Sequence, residues 1–278
     1  IREARKIDGL VTMYQKDERV WFELRPQDFD TLFFLSPKLA TGIGENRLFG
    51  GMMERPQVVQ FRRIHNVVQM IAVNTEFTAK AGTAEARGIA AAFSPSLLGA
   101  APVASQPHPQ SKAVLVDATS LFVGDMLGLG SILGRTYRQN YAFDGRNSAI
   151  VSARGKPDMV ALEVMGHYAT AAIAVPTPGA PPGAPVPSVP RTLPDARSLF
   201  LKVHYSLAKL PEKPMAGRLA DPRVGHFVHA HNDFSDDLAR TPKVHHIARW
   251  RLEKKDPAAA LSEPVKPITY WIDRTVPP

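Results

Sequence analysis

Eight of the twenty residues from Val175 to Pro194 are proline. Proline has no backbone N–H to give to a ladder and favours extended polyproline II, so this stretch cannot run through a helix or a central strand. Both of its flanks alternate as strands do. Met159 to Ala174 precedes it, and Ser198 to Leu207 follows with Leu199, Leu201, Val203 and Tyr205 on one face. Residues 175–194 are therefore an exposed spacer, either dividing two domains or forming a long excursion inside one hairpin. The strand-like flanks favour the hairpin.

Short alternating runs dominate the first half of the chain. Leu10 to Tyr14 and Arg19 to Leu24, joined by polar residues 15–18, read as a β-hairpin with Val20, Phe22 and Leu24 on one face. Val58 to Arg63, Val67 to Val73 and Ala113 to Val116 are further strands, with His65-Asn66 as a turn between the first two. Connections this short favour antiparallel pairing. The expected fold is mainly β, with antiparallel sheets of sandwich or meander type and a few short helices. One helix is expected within Asp117 to Leu133, weakened by Gly124, Gly128 and Gly130, and a short one from Asp256, with Pro257 at its first position. Trp21, Trp250 and Trp271 are expected as core anchors.

Composition narrows the chemistry. With 44% hydrophobic and 22% charged residues, the 278-residue chain is globular. The absence of cysteine removes disulfides, thiol nucleophiles, CxxC zinc sites and iron–sulfur clusters. The net charge of +8 is spread among acidic neighbours, as in Arg249 to Asp256, so no nucleic-acid partner is expected. The chain opens on Ile1-Arg2-Glu3 without a signal sequence and reads as a cut inside a longer protein. The most apolar window, Ile89 to Ala104, is too short and proline-broken for the roughly 20 residues of a membrane helix, and no transmembrane segment is expected.

Phosphate-loop, dinucleotide, GxSxG and HExxH motifs are all missing. Five of the nine histidines fall between His226 and His246. Within them His229, His231 and Asp233 spell HxHxD, which on a strand places two imidazoles and a carboxylate on one side, a workable first shell for zinc. That pattern resembles the first ligand cluster of metallo-β-lactamase-like hydrolases, but Phe234 replaces the final imidazole and only 44 residues follow it. A polar loop with exposed histidines is the plainer reading. Asp144, in Phe143-Asp144-Gly145-Arg146-Asn147-Ser148, reads as a turn former, with no second carboxylate beside it for acid–base work.

The C-terminal third carries a more specific pattern. Val203-His204-Tyr205-Ser206-Leu207, Asp221-Pro222-Arg223-Val224-Gly225, Asp233-Phe234-Ser235, Arg249-Trp250-Arg251-Leu252-Glu253 and Pro267-Ile268-Thr269-Tyr270-Trp271 occur in that order. Together with Asp8-Gly9-Leu10 and Gln57 to Arg62, they resemble a domain of unknown function found at the N-terminus of secreted or periplasmic bacterial zinc-dependent, metzincin-like metalloproteases. The resemblance implies a β-rich accessory domain over residues 1–267 and the first strand of a catalytic domain over 268–278. No catalytic or cofactor-binding residue follows for this chain. Zinc would belong to an HExxH module beyond it, and the partner would be that module, with a protein or peptide substrate. Asp221, Arg223, Arg249, Trp250 and Arg251 are the candidates for the interdomain face, since rigid turns and Arg/Trp pairs anchor contacts, and simple loop and core roles within this domain fit them equally well. The resemblance also implies a periplasmic or secreted location. Two other functions fit parts of the sequence: an independent metal-dependent hydrolase built on HxHxD, and a surface- or carbohydrate-binding β domain.

Overall fold

A computed structural model describes residues 3–176, 179, 181, 183, 185–236, 238–272 and 276. Ile1 and Arg2, Pro178 and Pro182 of the proline-rich stretch, and Asp273, Arg274, Thr275, Pro277 and Pro278 of the C-terminal strand expectation lie outside the described residues. The chain forms two compact units, residues 1–75 with 91–211, and residues 76–90 with 212–278.

In chain order the strands are β1 (Arg5–Ile7), β2 (Thr12–Lys16), β3 (Arg19–Leu24), β4 (Leu32–Leu39), β5 (Gln57–Ile64), β6 (Val67–Ala72), β7 (Phe77–Thr78), β8 (Ser96–Pro102), β9 (Val114–Asp117), β10 (Ala142–Lys156), β11 (Met159–Ala169), β12 (Ser198–Lys209), β13 (Val228–Asp233) and β14 (Lys243–Ile247). The helices are α1 (Ala84–Ala92), α2 (Ala118–Phe122) and α3 (Leu129–Tyr137). The fold is mainly β, as the alternating runs predict. The first unit holds a four-stranded sheet, β1-β2-β3-β9, and a seven-stranded sheet, β10-β11-β12-β4-β5-β6-β8, both antiparallel. The second unit holds β14-β13-β7, in which β7 runs parallel to β13.

Alternation decides which side chains meet. Val20, Phe22 and Leu24 of β3 are fully buried, and so are Val59 and Phe61 of β5. The Phe22 ring meets Phe61 edge-on at 6.3 Å and Phe122 of α2 at 5.7 Å, and Phe122 meets Tyr205 of β12 at 5.5 Å. This chain of rings joins both sheets and α2 through one core, each pair adding about 1 kcal/mol beyond burial.

Three expectations need correcting. The helix expected across Asp117 to Leu133 is two helices. Asp117 accepts from Thr119 N at 3.0 Å to start α2, and Gly128 is left-handed at φ 66°. Asp125 then accepts from Leu129 N at 2.7 Å and Gly130 N at 3.0 Å, starting α3 afresh. No helix forms from Asp256, because its carboxylate takes Ala258 N at 3.0 Å in a local turn that competes with a helix already cut short by Pro264. The tryptophans are not core anchors: Trp21 is half-buried, Trp250 is 63% exposed and Trp271 is 93% exposed. The latter two belong to the second unit, which has no buried apolar residue among those described.

The proline-rich stretch connects two adjacent strands. β11 and β12 pair without a register break from Met159↔Ala208 to Ala169↔Ser198. Gln139, only 4% exposed, clasps both ends of the excursion: its amide donates to Ala174 O at 3.1 Å and Ser188 O at 2.9 Å, and its Oε1 accepts from Ala174 N at 2.7 Å. Gln139→Ala strands these backbone groups and is expected to cost about 1–3 kcal/mol in urea unfolding. The same variant should be cut faster between residues 175 and 190 in limited proteolysis, because the excursion is no longer tied down.

Candidate functional site

The residues singled out in the second unit do not converge. β13 and β14 pair so that His229 faces His246 and His231 faces Val244. The His231 and His246 rings stack at 5.4 Å and 8°. Asp233 Oδ1 takes Ser235 N at 3.0 Å and the Ser235 hydroxyl at 2.6 Å, and these bonds hold its carboxyl below the ordinary range. Among the described residues, no three His, Asp or Glu side chains are grouped to hold a metal ion. His229, His231 and Asp233 all lie on β13, where His231 stacks on His246 and Asp233 caps Ser235.

The expected interdomain residues are local fasteners at an exposed surface. Arg223 Nε and Nη2 donate to the Asp221 carboxylate at 2.9 and 2.6 Å, closing a turn. Arg249 Nη2 donates to Ala216 O at 2.9 Å and Arg251 Nη1 to Lys213 O at 2.8 Å, so two guanidinium groups hold residues 213–216 beside 249–253. Pro214, Met215, Arg249, Arg251 and Leu252 line the shallow groove left between these segments, with Trp250 exposed next to it in sequence.

A second, tighter constellation lies on the seven-stranded sheet. Ordinary pairing of β10 with β11 is interrupted between Asp144 and Ala149, and the extra residues form a bulge. Within it Asp144 Oδ1 accepts from Arg146 N at 3.0 Å, and Oδ2 accepts from Asn147 Nδ2 at 2.6 Å. The Ser148 hydroxyl donates to Asp144 O at 2.7 Å and accepts from His167 N at 2.9 Å, tying the bulge to β11. His167 faces Asp144 across the pair, and its Nδ1 lies 2.9 Å from Asp144 Oδ2. On the other side Nε2 lies 2.8 Å from Ser198 Oγ, at the first residue of β12. Carboxylate, imidazole and hydroxyl thus form one relay across three neighbouring strands.

The charge state fixes the tautomer. Asn147, His167 and the Arg146 N–H all favour the ionised form of Asp144 and hold its carboxyl down at about 2. An ionised carboxylate only accepts, so in the neutral imidazole Nδ1 carries the hydrogen and Nε2 is left to accept from the Ser198 hydroxyl. His167 is buried at 9% exposure, and its ring packs 4.7 Å from the Phe200 ring. Ser198 is exposed.

Sequence reading stops short of this site. It takes Asp144 as a turn former, and the structure keeps that role while adding the bond to His167. His167 lies 23 residues from Asp144 and 31 from Ser198, so no local spacing relates them. His167 and Ser198 fall in runs that read as strands, whereas Asp144 lies in a segment that reads only as a turn.

Residues 50–255, well over half of the chain, match a family described as a domain of unknown function (DUF5117). No curated protein and no solved structure matches the chain.

Asp144 gives the site a defined acid limit. Its folded pKa of about 2 lies below the ordinary value near 4, so its stabilising contribution is complete above about pH 4 and is lost as pH falls through 2. Asp144→Asn is expected to melt below the parent at pH 7, and the gap between the two melting temperatures should close between about pH 4 and pH 2. Thermal scans by circular dichroism across that range check the sign; a gap that stays constant down to pH 2 contradicts it.

Proposed function

The chain belongs to the DUF5117 family, and on that premise we propose that it is a β-rich N-terminal domain, non-catalytic in proteolysis, of a bacterial zinc-dependent metalloprotease, acting in the periplasm or outside the cell. It packs on the protease module, supporting its fold or gating its cleft. One observation carries this reading. The second unit, residues 76–90 and 212–278, has no buried apolar side chain among those described, yet it exposes Phe227 at 91%, Trp250 at 63%, Tyr270 at 78% and Trp271 at 93%. Large aromatic side chains contribute when they leave water, and a unit without a core gains little from folding alone. Aromatic and arginine groups concentrated on one exposed unit suit a surface made to be covered. Of the segments that carry the resemblance to the protease family, Asp221 to Gly225, Asp233 to Ser235, Arg249 to Glu253 and Pro267 to Trp271 lie in this same unit, while Asp8 to Leu10, Gln57 to Arg62 and Val203 to Leu207 lie in the first.

The zinc chemistry belongs to the partner module in this reading, so the chain alone should not cleave casein or peptide pools in a chelator-sensitive manner. Hydrogen exchange gives the positive test. Amides of residues 212–272 should exchange quickly in the isolated chain and slow by at least tenfold when the protease module is present, while those of β11 and β12 stay protected in both. Chelator-sensitive proteolysis by this chain, or unchanged exchange beside the module, would overturn the proposal.

A further inference from the structure

The geometry points to Ser198 as a nucleophile activated by His167 and positioned by Asp144, giving the first unit a serine-hydrolase-type acyl-transfer site for small carboxylic esters. This goes beyond the accessory role and does not depend on it, since all three residues belong to the first unit.

The order of groups is the one acyl transfer requires. The Ser198 hydroxyl stands 2.8 Å from Nε2 and the Asp144 carboxylate 2.9 Å from Nδ1, both within hydrogen-bonding range. Nε2 is the acceptor, so the base faces the hydroxyl whose proton it must take. Each member is also held in place. Asp144 is fixed by the bulge, His167 by Ser148 at its backbone and by Phe200 at its ring, and Ser198 by its backbone N–H donating to Asp195 O at 3.2 Å. Fixing groups before the reaction is what makes such relays effective.

The same sheet supplies an internal comparison. On β11 and β12, Glu163, His204 and Ser206 repeat the order acid, imidazole, hydroxyl, but the acid end is 3.6 Å long and the Glu163 carboxylate is held by Arg154 at 2.9 Å. Ser206 is also buried at 9% exposure, whereas Ser198 is open to solvent. Of the two relays, only that of Ser198 combines hydrogen-bond distances at both ends with a solvent-exposed serine.

The reaction balances without any added reagent but water. As Oγ attacks the ester carbonyl carbon, its proton passes to Nε2, and the positive ring faces the Asp144 carboxylate. Collapse of the adduct breaks the bond from the carbonyl carbon to the alkoxy oxygen, which leaves with the proton from Nε2. Water then gives its proton to Nε2, attacks the acyl-serine carbonyl, and releases the acid as Ser198 takes the proton back. Phe200, 51% exposed and against the imidazole, offers an apolar surface at the reacting serine, which suits a short apolar acyl group better than a charged one.

A fluorophosphonate probe tests the nucleophile directly on the unaltered protein. Peptide mass mapping should place the label on Ser198, and p-nitrophenyl acetate should be hydrolysed with Ser198 transiently acetylated. Ser198→Ala should lose both signals, His167→Asn should slow labelling at least a hundredfold, in line with loss of a general base, and Ser206→Ala should leave labelling unchanged. Asp144 is a positioning residue, so Asp144→Asn should lower kcat with little change in KM, with Asp144→Glu recovering part of the loss. No label on Ser198 in protein with a cooperative melt, or labelling equally fast in His167→Asn, would overturn the assignment. Failure of that kind leaves the exchange behaviour of residues 212–272 untouched, so the two readings stand or fall separately.

Discussion

The unbroken register between β11 and β12 is the constraint on which the larger sheet depends. From Met159↔Ala208 to Ala169↔Ser198 the two strands pair without a slip, and the sheet continues to β10 on one side and β4 on the other. Because side chains alternate, a slip of one residue would put Leu201, Val203 and Tyr205 on the opposite face from Val160, Leu162 and Val164. The buried aromatic chain through Tyr205, Phe122 and Phe22 penalises that slip strongly. The same register sets His167 beside Phe200 and diagonal to Ser198, so the packing that fixes the inner face also fixes the relay on the outer face.

How far the sequence reveals the structure depends on whether the deciding interaction is local. The β2–β3 and β5–β6 hairpins are legible, since alternation and turn residues lie within a dozen positions; Asp17 and His65 take the left-handed turn conformation at φ 53° and 52°. The split between α2 and α3 is half legible: the glycines that interrupt the run are visible, but the fresh start on Asp125 is not. Trp250 and Trp271 mislead because a tryptophan implies a core only where other apolar residues converge on it. The relay is not legible at all, since it is assembled by strand register and by a bulge that no composition signals. HxHxD shows the reverse case: the spacing is right for one face of a strand, yet stacking with His246 and capping by Ser235 use the groups for other contacts.

The two units meet the physical demands of folding differently. The first buries apolar side chains from all its major strands and from α2 and α3, and so contains the means of its own stability. The second is held by backbone ladders, Asp–Arg turns and arginines donating to carbonyls, all near solvent, where such bonds contribute little net stabilisation. Four of its aromatic side chains, Phe227, Trp250, Tyr270 and Trp271, are exposed. A chain can therefore combine a rigid body with a surface whose order depends on what covers it.

The Gln139 clasp separates chain length from architecture. By joining Ala174 to Ser188, it closes the proline-rich excursion at its neck, next to strands β11 and β12 that pair without a slip. The cost of closing a flexible loop grows only with the logarithm of its length, about 0.6 kcal/mol for each doubling. Insertions and deletions between 175 and 187 are then nearly free in energy, and this is the place in the sheet where the chain can change length, be cut, or receive an inserted segment while the register on either side stays as it is.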